Sequence, residues 1–350
     1  MSFYAEIEKR YKGFYLKVRL EHAGQCLGIL GASGCGKSMT LKCVAGIEKP
    51  DRGEIVLNGR VLFDSEKKIN LPPQKRNIGY LFQNYALFPN MTVGENIGIA
   101  ICKNPDRNIV VEKLIRLLQL QGLKDRYPMQ LSGGQQQRAA LARILAYGPE
   151  LLLLDEPFSA LDSFLKEQLQ QDLLPILNGY GKDIILVSHN RDEIYRFCDK
   201  TAVLAGGRLV TAGDTQALFR NPVYEAAARL TGCKNISRAH KITDYEVEAL
   251  DWDIRLKTDR FVDEDIAYVG IRAHDIRAGA GKQAENTFAV GYYTFSEEPF
   301  ENNLILARSG EDAAGSRIWW KVSKEYWGNI LNRQIPEFIS LPGKHLLLLK

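Results

Sequence analysis

The chain has 350 residues, of which 45% are hydrophobic and 25% are charged, and its formal net charge is +4. This composition is typical of a soluble globular protein, and the length allows two domains of ordinary size. A positive excess this small does not indicate a nucleic-acid surface, and we expect no nucleic-acid partner. No run of about 18 apolar residues is present, so we predict no membrane-spanning helix.

The N-terminal residues 1–13 include acidic side chains and lack an apolar core, unlike a secretory signal, so we expect a cytoplasmic protein. The six cysteines are scattered, with no CxxC pair and no histidine spacing typical of zinc sites. We interpret them as reduced thiols. Cys35 lies where a helix is predicted to begin, and a thiol at a helix N-terminus tends toward a lowered pKa.

Short strands with alternating apolar and polar residues begin the chain. Residues 3–8 and 14–20 alternate in this way on either side of a Lys-Gly turn, which is typical of a half-exposed hairpin. Residues 53–57 and 61–63 flank an Asn-Gly dipeptide, a strong hairpin signal. The sequence therefore predicts a small antiparallel layer around a glycine-rich segment that lies between the two hairpins in the chain.

This glycine-rich loop, GASGCGKS at residues 31–38, separates the apolar run 26–30 from the helix-forming segment 39–45. Backbone N–H groups of such a loop converge on phosphate oxygens, together with the N-terminus of the following helix. Lys37 would reach the terminal phosphates, and Ser38 would ligate Mg²⁺. The candidate nucleotide-binding residues are Gly31, Ser33, Gly34, Cys35, Gly36, Lys37, Ser38 and Met39.

The alternative for this stretch is an ordinary glycine turn with a solvated Lys37. The glycines, the lysine and the serine all occur at the spacing that a phosphate-binding loop needs, which disfavours that alternative. An aromatic side chain of the antiparallel layer, Tyr11 above all, could stack on an adenine base. A packed or exposed tyrosine with no ligand fits the sequence equally well.

A buried strand at residues 77–82 ends at Gln83. Thr92 then caps a short helix, and residues 109–120 carry apolar side chains at helical spacing up to Gly122. We therefore predict a helical insertion between strands, from about residue 84 to about residue 147.

The last helix of this insertion begins with Leu-Ser-Gly-Gly-Gln at residues 131–135. Ser132 takes the N-cap position, and two glycines occupy the first turn although glycine is a poor residue inside helices. Close approach of a second phosphate group would explain the glycines, and an ordinary capped helix start explains them equally well. The candidate residues are Ser132, Gly133, Gly134 and Gln135.

Residues 151–154 form a continuous leucine run, typical of a strand buried on both faces of a parallel sheet. The run delivers Asp155 and Glu156 to its C-terminal end, where ligands bind in such sheets. Two carboxylates there are costly without a role. We predict that Asp155 holds Mg²⁺ and that Glu156 orients or deprotonates an attacking water.

A further strand at residues 183–187 ends at Ser188-His189. At this position His189 can contact a γ-phosphate, although a lone histidine is more often structural or solvated. The segment Ser-Ala-Leu-Asp at residues 159–162 precedes an amphipathic helix.

In this order, the segments resemble the nucleotide-binding subunit of ABC transporters over residues 1–232. Residues 31–38 match the Walker A loop, Gln83 the Q-loop and residues 131–135 the signature motif. Residues 151–156 match Walker B with its catalytic glutamate, residues 159–162 the D-loop and His189 the switch histidine.

The resemblance implies an α/β P-loop NTPase with an antiparallel β subdomain and a helical subdomain. ATP and Mg²⁺ are the implied cofactors, and each ATP would lie between the Walker A loop of one subunit and the signature motif of its partner in a head-to-tail homodimer. The implied catalytic residues are Glu156, His189 and Gln83. The implied metal ligands are Ser38, Gln83 and Asp155, and Asp162 completes the nucleotide-binding set.

The segment at residues 81–97, LFQNYALFPNMTVGENI, resembles the corresponding segment of bacterial importers that carry an extra C-terminal domain. We expect residues 1–232 to form the ATPase domain and residues 233–350 to form an all-β, OB-like regulatory domain of the TOBE type, a small β-barrel. Trp319, Trp320 and Trp327 would be core or subunit-interface residues of that domain.

Such importers imply two separate transmembrane permease subunits, an extracytoplasmic solute-binding protein acting through them, and a peripheral position on the cytoplasmic face of the membrane. Residues 230–235, Leu-Thr-Gly-Cys-Lys-Asn, and the overall length are most similar to molybdate-type ATPases, with sulfate-type next. Importers of iron, polyamines or sugars are the alternatives, because no residue of this subunit would touch the solute.

The competing class is a soluble ABC ATPase that acts on DNA or on the ribosome. The segment between Ser38 and Leu131 has no sustained heptads for the coiled coil of chromosome-associated members. The chain has one set of motifs, whereas ribosome-associated members carry two cassettes. A non-catalytic binding module is disfavoured by Glu156 and His189.

Overall fold

The computed structural model describes residues 3–11, 13–24, 26–159, 163–279, 281, 284–308, 317–329 and 334–350. The chain divides into two compact units, Met1–Gln216 and Ala217–Lys350. None of the helices within the described ranges is both long and apolar enough to cross a membrane.

The first unit contains strands β1 (Phe3–Tyr11), β2 (Phe14–His22), β3 (Cys26–Gly31), β4 (Arg52–Leu57), β5 (Arg60–Asp64), β6 (Ile69–Asn70), β7 (Ile78–Leu81), β8 (Leu151–Asp155), β9 (Asp183–Ser188), β10 (Lys200–Ala205) and β11 (Arg208–Asp214). The second contains β12 (Asn235–Thr243), β13 (Glu246–Ala249), β14 (Ile254–Lys257), β15 (Tyr268–Ile271), β16 (Arg277–Ala278), β17 (Thr287–Glu297), β18 (Glu301–Arg308), β19 (Ile318–Ser323), β20 (Phe338–Ser340) and β21 (Leu347–Leu349).

The helices along the chain are α1 (Lys37–Ala45), α2 (Val93–Ile99), α3 (Arg107–Leu117), α4 (Gly133–Ala146), α5 (Ser163–Asn178), α6 (Arg191–Phe197), α7 (Thr215–Arg220), α8 (Glu225–Leu230) and α9 (Lys324–Asn329). Short 3-10 helices occupy Pro73–Lys75, Pro128–Gln130 and Gly343–His345.

An 11-stranded sheet carries the first unit, in the order β6-β5-β4-β1-β2-β11-β10-β3-β9-β8-β7. Strands β10, β3, β9, β8 and β7 run parallel to one another. Strands β1, β2, β4, β5 and β6 pair in antiparallel fashion. The continuous apolar runs of β3, β8 and β9 are buried along their whole length, as both-face coverage of a parallel sheet requires. The predicted parallel sheet and antiparallel layer are both confirmed.

Arg76 holds the C-terminal end of α1. Its side chain is fully buried and donates to the backbone oxygens of Cys43 at 2.9 Å, Val44 at 2.8 Å and Leu71 at 2.8 Å. Burial lowers the pKa of Arg76 to about 10. A cation at this end of a helix is favourable because the last carbonyls carry partial negative charge. The helix after the glycine loop is therefore fixed at its far end.

Helices α2, α3 and α4 form the predicted insertion between β7 and β8, and Thr92 caps α2 as expected. Helix α3 ends at Leu117, before the predicted residue 120. The reason is that Gln119 adopts a left-handed conformation (φ 54°) and the N–H of Leu120 donates back to the oxygen of Ile115 at 2.8 Å. This turn buries Leu120 completely instead of continuing the helix.

Two 5-stranded sheets form the second unit, in the orders β14-β13-β12-β15-β21 and β16-β20-β17-β18-β19. They share a buried core that includes Trp252 and Trp320. Trp327 stacks on Phe295 with ring centroids 5.4 Å apart, and Trp319 is half-buried beneath the ammonium of Lys234. The expected all-β character of the C-terminal part is confirmed.

Residues 217–232 belong to the second unit. The backbone N–H of Glu225 donates to the oxygen of Lys350 at 3.0 Å, and the N–H of Lys350 donates to the oxygen of Val223 at 2.9 Å. These bonds tie the start of α8 to the end of the last strand within the second unit. The domain limit at residue 232 stays a prediction.

Candidate nucleotide-binding site

The glycine loop joins β3 to α1 through left-handed backbone turns at Gly34 (φ 77°) and Gly36 (φ 106°). A methyl group at Gly36 would lie 2.7 Å from Cδ1 of Leu16 and 3.0 Å from the ring of Phe14, so only glycine fits this position. Gly36 is also the N-cap residue of α1 and has no side chain to accept from the first-turn N–H groups. Those groups are available to an anion, as predicted for residues 31–38.

The side chains of the loop differ in exposure. Ser33 and Gly34 are exposed at the tip of the loop. Met39, in the first turn of α1, is half-buried against the core beneath the helix. Phosphate binding by this segment, through its backbone and through Lys37 and Ser38, stays a prediction.

Lys37 is almost completely buried, with 5% of the side chain exposed. Its ammonium donates to the backbone oxygens of Gly31 at 2.8 Å and Ala32 at 3.0 Å and lies 4.0 Å from Oε1 of Glu156. A buried positive charge within the loop is suited to an anionic ligand, because low local polarity strengthens the attraction.

Asp155 receives two hydrogen bonds at the C-terminal end of β8. The Ser38 hydroxyl donates to Oδ1 at 2.8 Å, and the Tyr80 hydroxyl donates to Oδ2 at 2.7 Å. Hydroxyl and carboxylate oxygens are the donors that Mg²⁺ prefers, so Ser38 and Asp155 fit the predicted metal role. Sequence reasoning missed Tyr80, whose place opposite β8 depends on the register between two strands far apart in the chain.

Glu156 comes directly after β8 in a left-handed conformation, with φ of 46°. Its N–H donates to the oxygen of Val187 at 3.0 Å, and its Oε1 lies 3.1 Å from Nδ1 of His189. A left-handed conformation is uncommon for a residue other than glycine, and here it directs the carboxylate away from the alternation of β8. The structure therefore brings together Glu156 and His189, two of the three predicted catalytic residues.

Gln83, the third, is exposed and donates from Nε2 to the hydroxyl of Ser159 at 3.2 Å. Ser159 in turn donates to the backbone oxygen of Glu156 at 3.0 Å. Gln83 is thus linked to the turn after β8, and this bond does not reach the Ser38–Asp155 pair. Its role as a metal ligand stays a prediction. Asp162 lies outside the described residues.

The start of α4 is capped by two reciprocal bonds. The Ser132 hydroxyl accepts from the N–H of Gln135 at 3.3 Å, and the Gln135 side chain accepts from the N–H of Ser132 at 3.0 Å. Gly133 and Gly134 occupy the first turn. A methyl group added at Gly134 would meet no heavy atom within 4 Å, so packing within the chain does not require a glycine there. Both explanations of the two glycines therefore stay open, and the role of Ser132, Gly133, Gly134 and Gln135 in nucleotide binding stays a prediction.

Tyr11 ends β1 with 57% of its surface exposed, directly opposite Phe14 in the hairpin. The Phe14 ring contacts Gly36, so the hairpin end lies beside the glycine loop. This position is compatible with adenine stacking by Tyr11, which stays a prediction.

Our expectation of a lowered thiol pKa at Cys35 is wrong. Burial raises the pKa of Cys35, and the nearby charge of Lys37 offsets this only in part. The side chain is 7% exposed and turns toward Gly31, where a methyl group would lie 2.4 Å from Sγ. Its backbone, not its thiol, is the part that can face a phosphate.

The chain is similar to several proteins of known class. A family model described as ABC transporter matches residues 16–159. The Fe(3+) ions import ATP-binding protein FbpC of Haemophilus influenzae is 43% identical over 213 residues, 60% of this chain and 60% of that protein. The molybdenum import ATP-binding protein ModC of Paramagnetospirillum magneticum is 37% identical over 219 residues, 62% of this chain and 60% of that protein.

The spermidine/putrescine import ATP-binding protein PotA of Nitratidesulfovibrio vulgaris is 37% identical over 265 residues, 73% of this chain and 70% of that protein. A solved dimeric structure of the ATP-binding cassette MJ0796, in a post-hydrolysis state bound to ADP and Pi, has a TM-score of 0.53 and 30% identity. The match covers 61% of this chain and 99% of the MJ0796 chain.

The sheet, the glycine loop and the carboxylates at the end of β8 define a P-loop nucleotide-binding protein. The chain belongs to the ABC transporter family of ATP-binding proteins. Its similarity to the FbpC and ModC proteins spans about three fifths of the length of each.

Proposed function

We propose that this protein is the ATP-hydrolysing subunit of an ABC importer. The observation that carries the proposal is one connected cluster at the C-terminal ends of β3, β8 and β9. Ser38 bonds to Asp155 at 2.8 Å, and Glu156 lies 4.0 Å from the Lys37 ammonium and 3.1 Å from His189. A cation, a hydroxyl, two carboxylates and an imidazole are the groups that positioning and cleavage of a triphosphate need.

Each residue of the cluster has a separate task in this proposal. Lys37 and the first N–H groups of α1 bind and neutralise the phosphates. Ser38 and Asp155 would hold Mg²⁺, which when bound supplies further positive charge to the phosphate oxygens. Glu156 accepts a hydrogen bond or a proton from the attacking water, and His189 holds that carboxylate in place from Nδ1.

We further propose that two copies work as a head-to-tail homodimer, with the start of α4 from one copy closing the site of the other. The dimeric assembly of the ATP-binding cassette MJ0796 bound to ADP and Pi supports this, and the open space beside Gly134 is compatible with it. Catalysis would then wait for the second copy, because one chain supplies only part of the donors around the terminal phosphate.

The proposed partners are two transmembrane permease subunits and, through them, an extracytoplasmic solute-binding protein, which places the subunit on the cytoplasmic face of the membrane. The names of the relatives include iron, molybdenum, polyamine and sulfate import. Residues 230–235 favour molybdate by resemblance, whereas the identity is higher to the Fe(3+) protein, at 43% against 37% for the molybdenum protein. Ferric ion and molybdate are therefore the two solutes to test first.

The proposal is tested in two steps. The purified protein should release phosphate from ATP in a Mg²⁺-dependent reaction, and purification from detergent-solubilised membranes should recover permease subunits with it. Recovery of nucleic acid in place of membrane subunits would contradict the importer assignment. In the reconstituted complex, ATPase stimulation by the solute-binding protein loaded with ferric ion or with molybdate separates the two candidate solutes.

A further inference from the structure

Tyr80 lies on β7, beside the strand that carries Asp155. The two strands are parallel, with Tyr80 opposite Leu153. Leu153 and Asp155 point to the same face of the sheet, because side chains alternate along a strand with a period of two. Tyr80 packs against the core on that face, and its phenol reaches along the sheet to the carboxylate.

Two donors hold the two oxygens of the Asp155 carboxylate. The Ser38 hydroxyl binds Oδ1 at 2.8 Å, and the Tyr80 hydroxyl binds Oδ2 at 2.7 Å. The final torsion of an aspartate side chain is otherwise broad, so donors on opposite oxygens select one orientation. Asp155 is 7% exposed, and little water is therefore present to orient it instead.

We propose that Tyr80 is a positioning residue for a divalent cation, fixing the Asp155 carboxylate in the orientation that binds Mg²⁺ beside Ser38. The inference rests on the proposed function, because it takes the Ser38–Asp155 pair as the site of the Mg²⁺ that accompanies ATP. Hydrogen-bonding partners of metal ligands orient those ligands before the metal binds, and their loss typically weakens metal binding by about 10- to 100-fold.

The environment of the phenol suits this task. The half-buried phenol lies 2.7 Å from Oδ2 of Asp155, at donor distance. The ring packs on Phe82, with centroids 4.4 Å apart, which limits its movement. Phe82 directly precedes Gln83, so the Phe82 ring lies next to the end of β7, where the chain enters the helical insertion.

The test is Tyr80→Phe, which removes one oxygen and keeps the ring. Binding of Mn²⁺ is followed by electron paramagnetic resonance in the presence of the non-hydrolysable analogue AMP-PNP. We expect the Mn²⁺ affinity of the variant to fall by about 10- to 100-fold. AMP-PNP affinity measured with EDTA should change by less than about twofold, since the phenol orients a metal ligand and not the nucleotide.

Tyr4→Phe is the matched control, because the Tyr4 hydroxyl also donates to a carboxylate of the same sheet, Oε2 of Glu6 at 3.0 Å. It should leave Mn²⁺ binding unchanged. Equal Mn²⁺ affinity in Tyr80→Phe and the wild type would overturn the positioning role while the proposed function stands. A wild-type protein that binds no AMP-PNP would instead overturn the proposed function, and this inference with it.

Discussion

Glu156 shows how strongly the site depends on single backbone conformations. Its left-handed φ of 46° costs on the order of 1–3 kcal/mol for a residue other than glycine. In return the turn aims the carboxylate at Nδ1 of His189, 3.1 Å away, instead of continuing the alternation of β8. Replacing Glu156 by glutamine removes the negative charge and keeps the shape of the side chain, so it tests the charge alone.

Glu156→Gln should therefore bind ATP within a few-fold of the wild type but hydrolyse it about 100- to 10,000-fold more slowly, since the acceptor for the water proton is gone. Phosphate release and equilibrium ATP titration measure the two quantities. Glu150→Gln, at the opposite end of β8, is the matched control and should turn over normally. Normal turnover in Glu156→Gln would show that the carboxylate does not act on the water.

The thiols give a second residue-scale prediction. Cys102 is exposed, whereas Cys26, Cys35, Cys43, Cys198 and Cys233 are buried, and burial raises the pKa of Cys35. Because the thiolate is the reactive form, iodoacetamide should modify Cys102 first and Cys35 only slowly at neutral pH. Peptide mass spectrometry after brief labelling measures this order. Cys102 serves as the internal reference. If Cys35 is labelled as fast as Cys102, the Cys35 thiol faces solvent and the prediction is wrong.

Tyr80 and Cys35 also mark the limits of prediction from the sequence alone. The glycine loop and the pair Asp155-Glu156 were predictable because their chemistry is carried by neighbouring residues on a strand end and a helix start. The bond from Tyr80 to Asp155 depends on the pairing of β7 with β8, and the burial of Cys35 depends on β3 and β10 lying against the loop. Both are tertiary properties, so local patterns did not contain them.

At the scale of elements, the start of α4 has a cap that the sequence predicts and a binding role that the sequence leaves open. Its cap was predictable because Ser132 and Gln135 are three residues apart and bond each other's backbone. The use of the helix end was not, because a capped start and a phosphate-binding start share that sequence. The open space beside Gly134 is compatible with both explanations, so a substitution has to distinguish them.

Gly134→Ala tests this distinction. Alanine is a better helix former than glycine and meets no atom of the chain, so the free energy of unfolding should stay constant or rise by up to about 1 kcal/mol. ATP hydrolysis should nevertheless fall by at least about 10-fold, because the methyl group blocks approach to the helix N–H groups. Urea unfolding and phosphate release measure the two effects.

Gly213→Ala is the matched control, since a methyl group there also meets no heavy atom within 4 Å. It should leave hydrolysis unchanged. If Gly134→Ala hydrolyses ATP as fast as the wild type, the two glycines belong to an ordinary capped helix start.

At the scale of the whole molecule, a buried histidine ties stability to pH. His22 ends β2 with 2% of its surface exposed, and its Nε2 lies 3.8 Å from Oδ1 of Asp183. Burial lowers the pKa of His22 below its usual 6.5, with a further contribution from Lys200, while Asp183 and Asp199 act in the opposite direction. The folded protein therefore holds this imidazole neutral.

The contribution of His22 to stability is complete above the unfolded pKa and is lost as pH falls from there through the lower folded pKa, because the unfolded chain takes up the proton more readily over this range. Between about pH 7.5 and about pH 5.5, His22→Gln should lose less stability than the wild type, by at most about 1.4 kcal/mol per pH unit. Urea midpoints across this range, with His240→Gln at an exposed site as control, measure the difference. Parallel pH profiles for the wild type and His22→Gln would contradict the assignment.

All hydrogen bonds and ion pairs described for the candidate site join residues that precede Gln216. The segments shared with the iron and molybdenum proteins, 213 and 219 residues long, are close to this first unit in length. The two parts of the chain can thus accumulate changes at different rates during evolution. A lineage can therefore replace the C-terminal unit without changing any of the contacts described for the candidate site.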